Sequence, residues 1–279
     1  MTADARPGEV DAVVDATMPG PVEATQPDAD LARRFGGLRR LFGDAGYQQI
    51  RHARVAVVGL GGVGSWAVEA LARSGVARLV LIDLDQVSES NINRQVQALG
   101  STVGLAKAEA LRRRVADIHP GCDVWVVEDF ASADNWPGLL PAQVDVLIDA
   151  CDQSAAKLVL AAWALRSGTP LVCVGAAGGK QMAQQVQVAD LADATHDPLL
   201  AGLRQRLRKQ GAPRLGPIGL TCVFSREPVA APDIVEPGGA HDGGLNCHGY
   251  GSTVTVTATF GLVAAGEALR LCRAAGAQR

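Results

Sequence analysis

Arg54-Val55-Ala56-Val57-Val58-Gly59-Leu60-Gly61-Gly62-Val63-Gly64 is the stretch that decides how the rest of the chain is read. A β-branched run, suited to a pleated strand, breaks into glycines and then into the helical stretch Val63 to Arg73. Glycines let the backbone turn tightly and approach a ligand, and the start of a helix offers free N–H groups to a phosphate. Alone, GxGxxG is a weak signal. Here a strand precedes it, a helix follows it, and Asp83 closes the next strand 24 residues after Gly59, where a carboxylate can accept ribose hydroxyls. Gly59, Gly61, Gly62, Gly64 and Asp83 are therefore candidate nucleotide-binding residues. The loop by itself leaves dinucleotide and ATP both open.

Outward from this loop the chain alternates short β-branched runs with amphipathic stretches. Arg78 to Ile82 is followed by a helical stretch at Leu105 to Ile118; Val124 to Val127, Val144 to Ile148 and Leu171 to Val174 continue the series, with Ala155 to Arg166 helical between the last two. Such alternation predicts an α/β fold, a Rossmann-like, mostly parallel sheet with helices on both faces and ligands at the carboxyl edge of its strands. Gln184 to Val188 predicts a half-exposed strand, residues 198 to 209 a strongly basic helix, and the Pro- and Gly-rich residues 226 to 251 a long surface loop.

The chain has 279 residues and a formal net charge of -3, unevenly placed. Residues 1 to 30 hold seven acids and one base without apolar periodicity, and read as a disordered acidic tail ahead of one domain over 31 to 279. Setting them aside from 29 acids and 26 bases leaves 22 acids and 25 bases, a net of +3. Charge therefore does not exclude a nucleic-acid partner. Arg204, Arg206, Arg208, Lys209 and Arg214 put five bases within eleven residues with no acid among them, which reads either as a solvated face or as an RNA-backbone contact. The six cysteines lie at least 22 residues apart with no CxxC pair, so a clustered zinc site has no support and a reducing, cytoplasmic compartment fits best. Tyr250 to Gly266 is uncharged, but its 17 residues include four threonines and three glycines; a buried helix or strand-to-helix segment is expected rather than stable membrane insertion, with membrane association as the alternative.

After Asp83 come Asp85, then Ser90-Asn91-Ile92-Asn93-Arg94-Gln95, and nine residues later Gly104-Leu105-Ala106-Lys107. A later strand ends in Asp149-Ala150-Cys151-Asp152. Asn91, Arg94 and Lys107 near one nucleotide bring more positive charge than hydride transfer needs, whereas attack on a phosphate accumulates charge on phosphoryl oxygens. A carboxylate such as Asp152 at the sheet edge suits Mg²⁺ on a polyphosphate.

GxGGxG, DxDxVxxSNxNRQ, GxxK and DAxD, in this order over roughly residues 34 to 190, resemble the signature of the ubiquitin-activating-like (ThiF/MoeB) superfamily, whose members adenylate a carboxylate with ATP. The resemblance implies that Asp83 binds the ribose, Asn91, Arg94 and Lys107 the phosphates, and Asp152 a Mg²⁺ ion, with Asp85 and Gln95 following the nucleotide-binding pattern. It also implies a homodimer in which an N-terminal arginine acts in the partner's site; Arg40 is the candidate, with Arg34 and Arg39 as alternatives. Members that activate sulfur-carrier proteins usually carry two CxxC pairs, absent here. Instead Arg34 to Gly37, Gly175 to Gly179, Asp197-Pro198-Leu199, Thr221 to Ser225 and Thr257 to Gly261 resemble the tRNA threonylcarbamoyladenosine dehydratase branch. That likeness implies ATP-dependent cyclisation of a tRNA nucleoside through an acyl-adenylate, a tRNA substrate, a possible Na⁺ or K⁺ ion and a cysteine-desulfurase sulfur-acceptor partner. Adenylation of a ubiquitin-like sulfur carrier is the alternative, and an NAD-dependent oxidoreductase rests on the glycine loop alone. Cys247 reads either as a thioester-forming nucleophile or, since the ring closure needs no thiol, as a loop cysteine without catalytic duty.

Overall fold

Strand β1 (Arg54–Val58) lies between β2 (Arg78–Ile82) and β4 (Val146–Asp149), parallel to both, so the sheet grows from it in two directions. The computed structural model describes residues 27–230 and 250–276. Its seven-stranded sheet has the order β3-β2-β1-β4-β5-β7-β6, with β3 at Asp123–Val127, β5 at Leu171–Val174, β6 at Val186–Asp190 and β7 at Thr221–Ser225. All neighbours are parallel except β6 and β7. Interior strands are buried almost throughout, while β3 and β6, at the two edges, alternate with partly exposed positions. Burial on both faces explains why the interior strands read as unbroken apolar runs.

The two faces carry separate cores. Val55, Val57, Leu79 and Ile148 point to one face, packed by helices α1 (Pro27–Arg51), α2 (Gly64–Arg73), α3 (Lys107–Ile118) and α6 (Val254–Gly276). Ala56, Val58, Val80 and Leu147 point to the other, covered by α4 (Ser154–Ser167) and α5 (Pro198–Lys209). The alternation is the period-two geometry of a strand. Helix α5 starts on an Asp197 cap, whose Oδ1 accepts from the Leu200 N–H at 2.9 Å, with Pro198 in its first turn.

Several expectations shift. The acidic tail expected over residues 1 to 30 lies outside the described residues up to position 26, and from Pro27 the chain is helical. The half-exposed strand expected at 184 to 188 runs from Val186 to Asp190, because Ala183–Gln185 forms a short 3-10 turn. Thr221–Ser225, to which the sequence reading gives no secondary structure, is inserted between β5 and β6. Most of the long loop expected at 226 to 251, with Cys247, lies outside the described residues. The membrane alternative for the uncharged segment 250 to 266 is not supported. That segment opens α6, and although Val254–Ala274 is long and apolar enough to span a bilayer, Val256, Phe260, Ala264, Ala265 and Ala268 are buried against the sheet and α2.

Candidate functional site

The chain leaves β1 for β2 and β3 on one side and returns through β4 on the other, which creates a crevice at the carboxyl ends of β1 and β4. The glycine loop crosses this crevice. Gly59 adopts φ 85°, and a Cβ there would sit 2.8 Å from the Cys151 nitrogen; a Cβ on Gly64 would sit 1.8 Å from the Gly59 carbonyl oxygen. Both positions require glycine on contact grounds. Gly59, Gly61, Gly62, Asp83, Asp85, Arg94, Gln95, Lys107 and Asp152 all line one cleft. Residues far apart in sequence are thus brought together, while Gly64 and Asn91 are not among the lining residues.

Asp83 is buried at the end of β2. Its Oδ2 accepts from the Leu60 N–H at 2.6 Å and its Oδ1 from the Asp85 N–H at 2.9 Å, which fixes the carboxylate against the glycine loop. Burial raises its pKa, and the Lys107 charge and the two N–H groups offset this only in part. Lys107, the first residue of α3, donates to Asp85 Oδ2 at 2.7 Å, and its side chain is only 8 % exposed. Arg94 is likewise 8 % exposed, but its partners are neutral: its Nη1 donates to the Ser90 carbonyl at 2.7 Å and to Asn93 Oδ1 at 2.9 Å. Among the described residues no carboxylate pairs with it. A desolvated, unpaired guanidinium facing a cleft is costly unless an anion completes it.

Asn91 is placed differently from the cleft residues. It is buried, and its Oδ1 accepts from the Ser88 N–H at 3.1 Å, so it braces the turn that carries Arg94 and is not among the residues lining the cleft. Gln95 lines the cleft and accepts from Gln97 Nε2 at 3.1 Å; the same Nε2 donates to the Leu60 carbonyl at 3.0 Å. Arg40 lies on α1, outside the cleft-lining set. Of the three candidate arginines, Arg34 donates to Asp30 and to the Ile118 carbonyl, and Arg39 pairs with Asp44. Arg40 is exposed and has no ion pair among the described residues.

Asp152 is exposed at the cleft, whereas Asp149, three residues earlier, is wholly buried. Asp149 Oδ2 accepts from Lys157 Nζ at 2.8 Å, and its Oδ1 accepts from the Cys151 N–H at 3.2 Å. Lys157 Nζ also donates to the Val174 carbonyl at 2.9 Å, so the pair joins the ends of β4 and β5 beneath the cleft floor. Burial opposes the ammonium charge, but the Asp149 carboxylate outweighs it and raises the Lys157 pKa. The sequence reading gives Lys157 no role, although a lone lysine in the apolar stretch Ala155-Ala156-Lys157-Leu158-Val159 was a usable signal. Phe130, just past β3, and Thr257, on α6, also line the cleft without having been singled out for it.

Among the described residues no three His, Cys, Asp or Glu side chains gather as a metal cage. A Mg²⁺ ion held by one carboxylate together with phosphates and waters needs no such cage, so Asp152 fits that manner of binding.

The sequence pattern of the ThiF family matches residues 35–278. The tRNA threonylcarbamoyladenosine dehydratase of Escherichia coli K12 is 42% identical over 257 residues, covering 88% of this chain and 96% of its own length. Its namesake in Bacillus subtilis 168 is 38% identical over 197 residues, covering 71% and 76%. The crystal structure of the E. coli enzyme, TcdA, in complex with ATP matches at 41% identity with a TM-score of 0.80, over 90% of this chain and 98% of that one; the complex with AMP gives 0.81.

Proposed function

This chain belongs to the ThiF family, and on that premise we propose that it uses ATP to activate the carboxylate of N6-threonylcarbamoyladenosine at position 37 of tRNA and closes it into a ring with loss of water. The observation that carries the reading is Arg94, a buried guanidinium without a carboxylate partner among the described residues, facing a glycine-lined cleft. That is a site for a polyanion, and the E. coli relative has been crystallised in complex with ATP and with AMP.

The glycine loop cradles the phosphates and Asp83 receives the ribose. The apolar wall that includes Phe130 and Ala131 takes the base. The substrate carboxylate attacks the α-phosphorus and pyrophosphate leaves. Arg94 and Lys107 meet the negative charge that builds on the phosphoryl oxygens, and Arg40 of a second copy adds to it in a homodimer. Asp152 would hold Mg²⁺, which when bound neutralises the polyphosphate. A neighbouring atom of the same modification then displaces AMP from the acyl-adenylate. Because that step is intramolecular, positioning suffices and no enzyme nucleophile is required. A cytoplasmic setting goes with this activity.

The test is ATP–pyrophosphate exchange by the purified chain with modified tRNA, with unmodified tRNA and with a ubiquitin-like carrier protein. Exchange that depends on the modified tRNA supports the reading. Exchange driven by the carrier protein would replace it. Asp152→Ala should abolish exchange with the circular dichroism spectrum unchanged, because that side chain is exposed and braces nothing among the described residues.

A further inference from the structure

Behind the glycine loop a second glutamine, Gln97, is only 2% exposed and is not among the residues that line the cleft. Its Nε2 donates twice, to the Leu60 carbonyl at 3.0 Å and to Gln95 Oε1 at 3.1 Å. Its own Oε1 is buried with no hydrogen-bond partner among the described residues. An unpaired buried amide oxygen costs stability, so an arrangement that leaves one calls for a gain elsewhere.

The Leu60 peptide decides which way Gln97 faces. Its N–H is taken by Asp83 Oδ2 at 2.6 Å, and its carbonyl points at Gln97. A carbonyl oxygen repels an amide oxygen, so Gln97 must turn its nitrogen toward Leu60. The second hydrogen on that nitrogen reaches Gln95, which must answer with its oxygen. Gln95 is 5% exposed and lines the cleft, and with Oε1 committed its Nε2 is the free end. That nitrogen has no hydrogen-bond partner among the described residues, and a Cβ placed on Gly61 would stand 4.0 Å from it. Two N–H donors are thus held over the glycine loop with no acceptor of their own. A glutamine kept only to satisfy the Leu60 carbonyl would need one N–H; at Gln97 the other sets the direction of Gln95. An amide that shows a ligand nothing but donors suits an anionic oxygen.

We propose that Gln97 is a positioning residue of the nucleotide site: it fixes the Gln95 amide so that only donors face the cleft, where they bond a phosphate oxygen of the nucleotide. This rests on the ATP reading above.

The experiment measures ATP and AMP binding to the full chain by calorimetry, with urea denaturation as the check on folding. Gln95→Met removes the donors and should weaken ATP binding by at least about tenfold, the worth of one hydrogen bond to a charged group. Gln97→Met leaves Gln95 in place but free to turn, and should cost at least about fivefold. Because Gln97 acts through Gln95, the double variant should bind within about twofold of Gln95→Met. Losses that multiply would make Gln97 an independent prop of the loop and overturn the proposal, as would unchanged affinity in Gln97→Met. Gln95→Glu keeps the oxygen that Gln97 grips but turns a second oxygen to the cleft. It should fold as the parent does and bind ATP more weakly than Gln95→Met; equal or tighter binding would overturn the donor orientation. Unchanged ATP affinity in Gln95→Met with pyrophosphate exchange lost would assign the donors to the substrate carboxylate and overturn the phosphate contact. A parent chain that binds no ATP would overturn the nucleotide reading itself.

Discussion

Replacing Lys157 by methionine keeps the hydrocarbon stem in place and removes the one counter-cation that a wholly buried carboxylate has among the described residues. In the parent, Lys157 Nζ sits 2.8 Å from Asp149 Oδ2 and 2.9 Å from the Val174 carbonyl, and neither side chain is exposed. Removing one partner of such a pair costs about 3–5 kcal/mol, because the remaining charge stays desolvated. The Val174 carbonyl also loses its donor, a loss of about 1–3 kcal/mol when counted alone. The two losses belong to one relaxation and do not add in full, so about 4 kcal/mol is expected, a large share of a domain stability of about 5–15 kcal/mol. Adding Asp149→Asn removes the stranded charge while its amide oxygen can still accept from the Cys151 N–H. The double variant should therefore recover at least about 2 kcal/mol over Lys157→Met. Urea denaturation followed by circular dichroism reads both numbers, with the m-value unchanged if only stability moves. A single-variant loss below about 1 kcal/mol, or a double variant no more stable than the single, would refute the claim that the pair is a coupled buried charge.

Three further outcomes follow from other parts of the molecule. Gly64→Ala places a methyl group 1.8 Å from the Gly59 carbonyl, so the loop must open, and calorimetric ATP affinity should fall by more than about tenfold if phosphates use that loop. Arg40→Ala and Lys107→Ala should each be inactive as homodimers, and co-expression should restore activity in the mixed dimer if Arg40 serves the partner's site; no restoration would return the choice to Arg34 or Arg39. His119 is buried against Phe35 and accepts from Arg51 at 2.9 Å; burial first, then the Arg51 and Arg34 charges, lowers its pKa to about 4 from 6.5. The unfolded chain binds this proton first, so the stability His119 provides is complete above about pH 6.5 and is lost as pH falls toward about 4. The loss is at most about 3.5 kcal/mol in total at about 1.4 kcal/mol per unit, and urea midpoints that do not fall across that window would contradict it.

The parts of the fold that could be read from sequence were those governed by local pattern. The β1 run and its glycines announced the crevice, because a strand buried on both faces reads as a continuous apolar run and the turn after it admits only glycine at Gly59 and Gly64. Strand β7 escaped for the opposite reason. Thr221–Ser225 mixes a threonine, a cysteine and a serine with two apolar residues, and its membership of the sheet comes from insertion between β5 and β6, a long-range pairing no local pattern records. The site divided in the same way. Asp83 was legible from its place at a strand end and Lys107 from the GxxK motif, and both line the cleft. Asn91 shares their motif yet turns its side chain to its own loop, because a short amide can satisfy a local backbone N–H. Lys157 stood out as a lone lysine in an apolar stretch, but its pairing was hidden because its partner, Asp149, reads from sequence as another site carboxylate.

For most charged groups of this chain pairing, not residue type or motif membership, separates structural from ligand-directed charge; Lys107, which lines the cleft while paired with the exposed Asp85 carboxylate, is the exception. Asp149 and Asp152 stand three residues apart at one strand end; the first is buried and paired with a lysine, the second exposed at the cleft. Arg34 and Arg39 have carboxylate partners on their own chain, whereas Arg40 has none among the described residues. Arg204 is spent on two carbonyls, while Lys209 and Arg214, in the same basic run, are not. A paired buried charge has already recovered part of its desolvation cost and has little to gain from an anion or a metal. An unpaired one at a cleft or groove gains the full charge-assisted bond when the ligand arrives. Arg94 is the extreme case, buried nearly as deeply as Lys107 yet with only neutral partners. If this sorting holds, a carboxylate placed within reach of Arg94, as in Thr257→Glu, should weaken ATP binding by supplying the missing anion from within the chain. Unchanged affinity in that variant would mean that Arg94 does not face the nucleotide.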